Sequence, residues 1–328
     1  MLHVNVFVLT SLSSVPTMPI AFADAPSQGD AAFIAGAEVP AAVLGPLREV
    51  PDWRAQLDQL PQHLARDGYV LLRGALPRAD VLAARHAVLQ QLASVGEIAE
   101  PAQVAVATGR SQRAALHPDL GAFWRQVCES PALRRLTHGP ALAELSAAVL
   151  GCATVPFDFL WLRTMTQGRA SPLHFDHVYM NRGSQRVMTA WVPLGDVPLR
   201  AGPLVVVEGS NRFEDVIAQY RGVDVDRDPL PGSFPEDAIA FAQSRQTRLL
   251  TTAFQAGDVM LFDTFTLHGS CDNRLAGGQV RLSCDVRWQA AADARDERWF
   301  GHPPPGHGGL SYGGLNGARP LGEAYLAR

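Results

Sequence analysis

The second half of the chain carries the strongest constraint on its fold. From Cys152 onward, short runs rich in β-branched and aromatic residues, at 157–165, 173–180, 187–194, 204–208, 259–262 and 280–288, alternate with clusters of Gly, Pro, Asn and Asp. Strands that follow one another without helices of crossover length form a sandwich or barrel, not a doubly wound parallel sheet. The first half reads differently. Leu57, Leu60 and Leu64 share a helical face within 53–66, interrupted by Pro61. Asp67-Gly68 turns the chain into a short strand from Tyr69 to Arg73. After Pro77, Val81, Ala84, Val88, Leu92 and Val95 recur at helical spacing, and helical patterns return at 120–128 and 140–150, where Gly151 is a stop. The expectation is a mainly β protein with a helical cover.

The same reading divides the chain into a flexible arm over 1–50, a domain over 51–295 and an irregular tail over 296–328 that contains Pro303-Pro304-Pro305. Within the domain, residues 51–151 form the helical cover and 152–290 the β core. An insertion at 213–248, with Pro229, Pro231 and Pro235 and a helix near 236–245, interrupts that core; long insertions of this kind often act as lids. The first residues are ambiguous. Val4 to Leu12 is apolar and Ala21-Phe22-Ala23 resembles a signal-peptide cleavage site, but the basic n-region is missing, and Met18 is an alternative start.

Composition excludes several chemistries. All 28 basic residues are Arg, so no lysine is present for a Schiff base or a P-loop. An anionic ligand must be held by Arg, His or backbone amides. A net charge of −4 without a basic run gives no footprint for nucleic acid, and no apolar stretch is long enough to span a membrane. Four cysteines without a C-x-x-C pair read as reduced thiols of a cytoplasmic protein.

The candidate chemistry centres on His174-Phe175-Asp176. On a strand, side chains alternate faces, so His174 and Asp176 point the same way, and one further imidazole completes the two-His-one-carboxylate set that binds non-haem Fe(II) on one face. His268, 92 residues after Asp176, follows a turn and strand at Gly257 to Phe262 and is the candidate third ligand. Downstream, Arg281 and Ser283 share a face of the last strand and make a socket for a carboxylate. Arg274 and Arg287 compete for that role, but Arg274 lies in the turn, and Arg287, although it shares the face of Arg281, lies two strand turns further from the metal. Arg163 is a candidate contact for cosubstrate or an acidic substrate, and Thr189 and Trp191 share a face that lines the pocket. His177 and Tyr179 are expected to face away from the ligands.

Taken in order, His174-x-Asp176, Trp191-Val192-Pro193-Leu194, Gly202-Pro203-Leu204 with Glu208-Gly209-Ser210, Gly257-Asp258-Val259-x-x-Phe262, His268 with Asn273, and Arg281-x-Ser283 resemble the Fe(II)- and 2-oxoglutarate-dependent dioxygenases of the phytanoyl-CoA dioxygenase type. The resemblance implies a double-stranded β-helix, the jelly-roll or cupin-like core. It implies His174, Asp176 and His268 as iron ligands and Arg281, assisted by Ser283, as the anchor of 2-oxoglutarate, with O2 as the other cosubstrate and a small molecule as substrate. Asp176 favours oxygenation, since in related halogenases a small residue replaces this carboxylate. The family often has a His after Gly-Ser, where this chain has Asn211. Two other readings fit parts of the pattern: a cupin-like oxygenase that does not use 2-oxoglutarate, and a non-catalytic ligand-binding barrel.

Overall fold

The computed structural model describes residues 31–117, 119–229, 231–314 and 320–321. The signal-like segment and the alternative start lie outside these residues, as does most of the chain after 314. In order, the strands are β1 (Phe33–Ile34), β2 (Ala37–Glu38), β3 (Leu44–Pro46), β4 (Tyr69–Leu72), β5 (Thr154–Met165), β6 (Val187–Pro193), β7 (Leu204–Val207), β8 (Leu249–Thr251), β9 (Val259–Asp263), β10 (His268–Ser270) and β11 (Arg281–Ala290). Five of them form one antiparallel sheet in the order β4-β9-β6-β11-β5, and four form the facing sheet, β10-β7-β8-β3. This is the two-sheet jelly roll expected of the β core.

Period-two alternation sorts the side chains of the larger sheet. On β11, Leu282, Cys284, Val286 and Trp288 point outward and join Leu160, Leu162, Ala190 and Val192 beneath the helices Arg78–Ser94, Pro131–Thr137 and Pro140–Leu150. Leu71, Trp191, Met260 and Phe262 point inward and meet Val206 and Leu250 of the facing sheet. Helix Leu60–Asp67 carries Pro61 in its first turn, where a missing N–H costs nothing, so Pro61 starts this helix instead of interrupting a longer one. Two 3-10 turns, Trp53–Ala55 and Leu57–Gln59, occupy the residues before it.

Three expectations change. Residues 31–50 are not a loose arm: β3 pairs in parallel with β8, and Val39 and Val43 are buried. The insertion holds two helices, Glu214–Tyr220 and Ala238–Ser244, and its backbone is bonded to the core: Phe234 N–H donates to Leu173 O at 2.6 Å and Val225 N–H to Val178 O at 3.1 Å. Residues 173–180 are not a strand. Only His174 bridges to neighbours, and Asp176–Tyr179 is a 3-10 turn, because His177 N–H donates to Thr264 O in the turn before β10 and draws the chain out of the ladder.

The segment after β11 is irregular but packed. Trp299 and Tyr312 are fully buried, Phe159 N–H donates to Trp299 O, and Leu160 N–H donates to the Tyr312 hydroxyl. Arg298 ties this segment to the insertion, with Asp226 at 2.6 Å and Asp296 at 2.6 Å, while its Nη2 donates to Tyr179 O at 3.0 Å.

Candidate active site

His174 and His268 face each other as a hydrogen-bonded antiparallel pair. His174 N–H donates to His268 O at 2.8 Å and His268 N–H to His174 O at 3.1 Å, which sets the two imidazoles side by side with ring centres 4.3 Å apart. Gly269 permits the approach: a Cβ there would stand 2.6 Å from Ser171 O and 3.0 Å from Pro172 O. Asp176 reaches the same spot from the 3-10 turn. Its Oδ1 lies 3.6 Å from His174 Nε2 and 4.0 Å from His268 Nε2. The three side chains, each offering one donor atom, lie within 4.8 Å of one another and form a group able to hold a metal ion.

The protonation pattern suits a cation. His174 Nδ1 lies 2.9 Å from Pro172 O and His268 Nδ1 2.8 Å from Thr266 O. A carbonyl only accepts, so both Nδ1 atoms carry the hydrogen and both Nε2 lone pairs face Asp176. Burial, reinforced by His268, pushes the His174 imidazolium pKa down to about 3, against the attraction of Asp176. Burial likewise lowers His268. For Asp176 burial alone would raise the carboxyl, but Arg287, the two imidazoles and the Thr189 hydrogen bond together hold it well below the usual carboxylate range. Two neutral imidazoles and an ionised carboxylate are the donor set of non-haem Fe(II) sites.

Arg281 is suited to an anion. It is 4% exposed; Nη1 donates to Ser283 Oγ at 2.7 Å, Nη2 donates to Gly202 O at 3.0 Å, and Nε has no partner. No carboxylate lies within ion-pair distance of it among the described residues, and burial pushes its pKa down to about 10 despite Asp285. Gly202 can be nothing larger, since it has φ 72° and its Cβ would lie 2.4 Å from Cys271 O. Asn273 braces the same corner by donating to Met165 O at 2.8 Å and Gln279 O at 2.9 Å.

Other residues fall differently from the expectations. Arg287, expected to be remote from the metal, donates to Asp176; β11 bends the comparison because Asp176 arrives from a turn and not along a strand. Arg274 is exposed in its turn, over the Phe33 ring. Thr189 donates to Asp176 Oδ2. Arg163 pairs with Asp285 at 3.0 Å. Trp191 packs on Phe254 between the sheets, with ring centres 4.7 Å apart. Tyr179 does not turn away, because the 3-10 turn brings its ring to 6.0 Å from that of His174; His177 stacks on Phe265. Asn211 donates outward to Ala65 O, whereas Ser210 accepts from Leu267 N–H and so supports the residue before His268. Arg287 was the residue missed, although an Arg inside a fully buried strand demands a counter-ion.

A family model for phytanoyl-CoA dioxygenase (PhyH) matches residues 64–279. The chain belongs to the PhyH family. This PhyH protein is an Fe(II)- and 2-oxoglutarate-dependent dioxygenase. It is 29% identical over 240 residues to a 1-deoxypentalenic acid 11-beta-hydroxylase of Streptomyces exfoliatus, covering 70% of this chain and 79% of that one. The counterpart from Streptomyces arenae is 25% identical over the same length and coverage. Among solved structures, EctD from S. alaskensis shares the fold at TM-score 0.51 and 21% identity, covering 80% of this chain and 85% of its own. The epimerase SnoN, in complex with Fe3+, alpha ketoglutarate and nogalamycin RO, does so at TM-score 0.50 and 22% identity, covering 74% and 87%. No helix among the described residues of the PhyH protein is long and apolar enough to cross a membrane.

Proposed function

We propose that His174, Asp176 and His268 hold the iron, that Arg281 with Ser283 anchors the distal carboxylate of 2-oxoglutarate, and that the enzyme hydroxylates a C–H bond of a small organic acid in the cytoplasm. The observation that carries this reading is the pairing of two neutral, Nε2-bare imidazoles against Asp176 on the same inner surface as a buried arginine without a counter-ion. The substrate class rests on the hydroxylases of 1-deoxypentalenic acid to which the chain is similar. Neither nucleic acid nor a membrane is a partner in this reading; the charge of −4 favours neither.

When bound, Fe(II) with 2-oxoglutarate and O2 supplies the oxidising chemistry, and the protein supplies placement. The two Nδ1–H bonds to carbonyls fix ring orientation, as carbonyl partners of ligating histidines do. Arg281 and Ser283 present donors to a carboxylate in a dry recess, where such bonds are strong. The insertion is bonded to the backbone on either side of His174–Asp176, and Arg298 ties the segment after β11 to it. Arg163, at the partly exposed edge of the inner surface, meets the acidic group of the substrate. Thr189 lines the metal end and Trp191 the apolar wall.

Anaerobic titration with Fe(II) and then 2-oxoglutarate should develop a visible charge-transfer band that Asp176→Ala abolishes. Succinate release across a panel of small carboxylic acids then identifies the substrate. A wild-type protein that binds Fe(II) yet gives no band with 2-oxoglutarate would overturn the reading.

A further inference from the structure

The two oxygens of Asp176 are not equivalent. Oδ2 receives both the Thr189 hydroxyl and Arg287 Nη2, the latter at 3.0 Å. Oδ1 receives only Arg287 Nη2, at 2.9 Å, and is the oxygen turned toward the imidazoles. Arg287 and Thr189 are directly opposite each other in the β11–β6 ladder, so one rung of the sheet delivers both donors. The guanidinium is itself held: the Trp161 ring lies 4.0 Å beneath it, Asp285 Oδ2 stands 3.7 Å from Nη1, and the side chain is 1% exposed. Arg287 has no lone pair to offer a cation, and the Thr189 hydroxyl is turned to donate its hydrogen to Oδ2.

From this we infer that Arg287 and Thr189 are positioning residues that together fix the Asp176 carboxylate with Oδ1 turned toward the two imidazoles. The inference rests on the assignment of Asp176 as a ligand. A carboxylate held in this way cannot rotate without breaking the bonds from Thr189 and Arg287, so its orientation toward the imidazoles is set before any cation binds. The inner face of β11 then divides its labour: Arg281 and Ser283 serve the cosubstrate at one end, and Arg287 fixes the ligand at the other.

The test uses the full chain, Co(II) as a spectroscopic metal probe, and Fe(II) with 2-oxoglutarate under anaerobic conditions, on wild type, Arg287→Met, Arg287→Lys and Thr189→Val. Loss of a partner that orients a ligand typically weakens metal binding by about 10–100-fold, and that range is expected for Arg287→Met, with partial recovery in Arg287→Lys. Thr189→Val, which frees Oδ2 of one neutral bond, should weaken Co(II) binding by about fivefold and reduce the charge-transfer absorbance at saturating metal. Circular dichroism and thermal unfolding of the metal-free proteins separate this from global loss of structure. Folded Arg287→Met and Thr189→Val proteins that both bind Co(II) within about twofold of wild type, with unchanged spectra, overturn the inference. If Arg287→Met does not fold, Thr189→Val decides by the same criterion. A wild type that binds Co(II) but gives no 2-oxoglutarate band refutes the proposed function and leaves the clamp standing.

Discussion

Arg287 donates through a single nitrogen to both oxygens of Asp176, at 2.9 and 3.0 Å, with each side chain 1% exposed. Six residues earlier on the same face, Arg281 is also buried and has no carboxylate within ion-pair distance among the described residues. Burying a cation is costly unless it is paired, so these two arginines stand in opposite energetic states before any ligand arrives. One is paired with a carboxylate of the protein; for the other none stands within ion-pair distance among the described residues.

Arg281→Met should therefore separate cosubstrate binding from stability. Removing charge-assisted hydrogen bonds worth about 1.5–3 kcal/mol weakens 2-oxoglutarate affinity by roughly 10–100-fold. The metal-free protein should unfold at an equal or higher urea concentration, because an uncompensated buried charge has been replaced by an apolar side chain. Calorimetric titration with 2-oxoglutarate and a urea curve check both halves. A marked drop in the unfolding midpoint would mean that Arg281 is structural.

Gly269→Ala is predicted to loosen the metal site without touching a ligand. The new Cβ meets two backbone oxygens, of Ser171 and Pro172, neither of which can rotate away. The rung joining His174 to His268 must open, and a misplacement of this size should cost about tenfold in Fe(II) affinity. Anaerobic titration against wild type measures it, and unchanged affinity refutes the idea that this close approach sets the ligand geometry.

The metal-free protein should lose stability as the pH falls below about 6.5, the ordinary histidine value. Burial, with Arg134 adding to it, pushes His138 down to about 4; burial and His268 push His174 to about 3; burial, with Arg221, pushes His177 to about 4. Each is depressed in the fold, so the unfolded chain takes up protons first. Stability from these three groups is full above the unfolded value, falls as pH drops through the window from about 6.5 to about 3, and levels off below the folded values. Urea midpoints across that window, compared with His138→Gln, test the sign: the variant should show the shallower fall.

Arg298→Met should release the cover over the barrel mouth. This arginine joins Asp226 of the insertion, Asp296 after β11 and the backbone of Tyr179. Its loss leaves the sheets intact but frees two segments from each other, so limited proteolysis should cut within 221–237 about tenfold faster, as expected for local opening. Equal cleavage rates would show that the backbone bonds alone hold the insertion.

Much of this architecture was legible from residue order. Val187–Pro193 is apolar and β-prone almost throughout, and Arg281, Ser283 and Asp285 alternate with Leu282, Cys284 and Val286, which identifies both strands and the shared face of Arg281 and Ser283. His174, Asp176 and His268 were legible as a set because their spacing resembles a family pattern. Local pattern could not reveal what distant partners impose. Residues 173–180 have strand composition, yet Thr264 captures His177 N–H and turns the chain. Leu44–Pro46 looks like loop, yet it completes the edge of a sheet against residues some 200 positions away. Arg287 was readable in principle, since Arg281, Asp285 and Arg287 alternate with apolar residues inside a strand buried along its whole length.

The insertion grips the segment that bears two of the three candidate ligands. Ser233 bridges to His174 on the side opposite His268, and the bonds from Phe234 to Leu173 and from Val225 to Val178 bracket the His174–Asp176 turn. Any outward swing of the insertion thus tugs on the ligand-bearing backbone itself. The insertion and the backbone that carries His174 and Asp176 are one hydrogen-bonded unit, so that neither can shift alone.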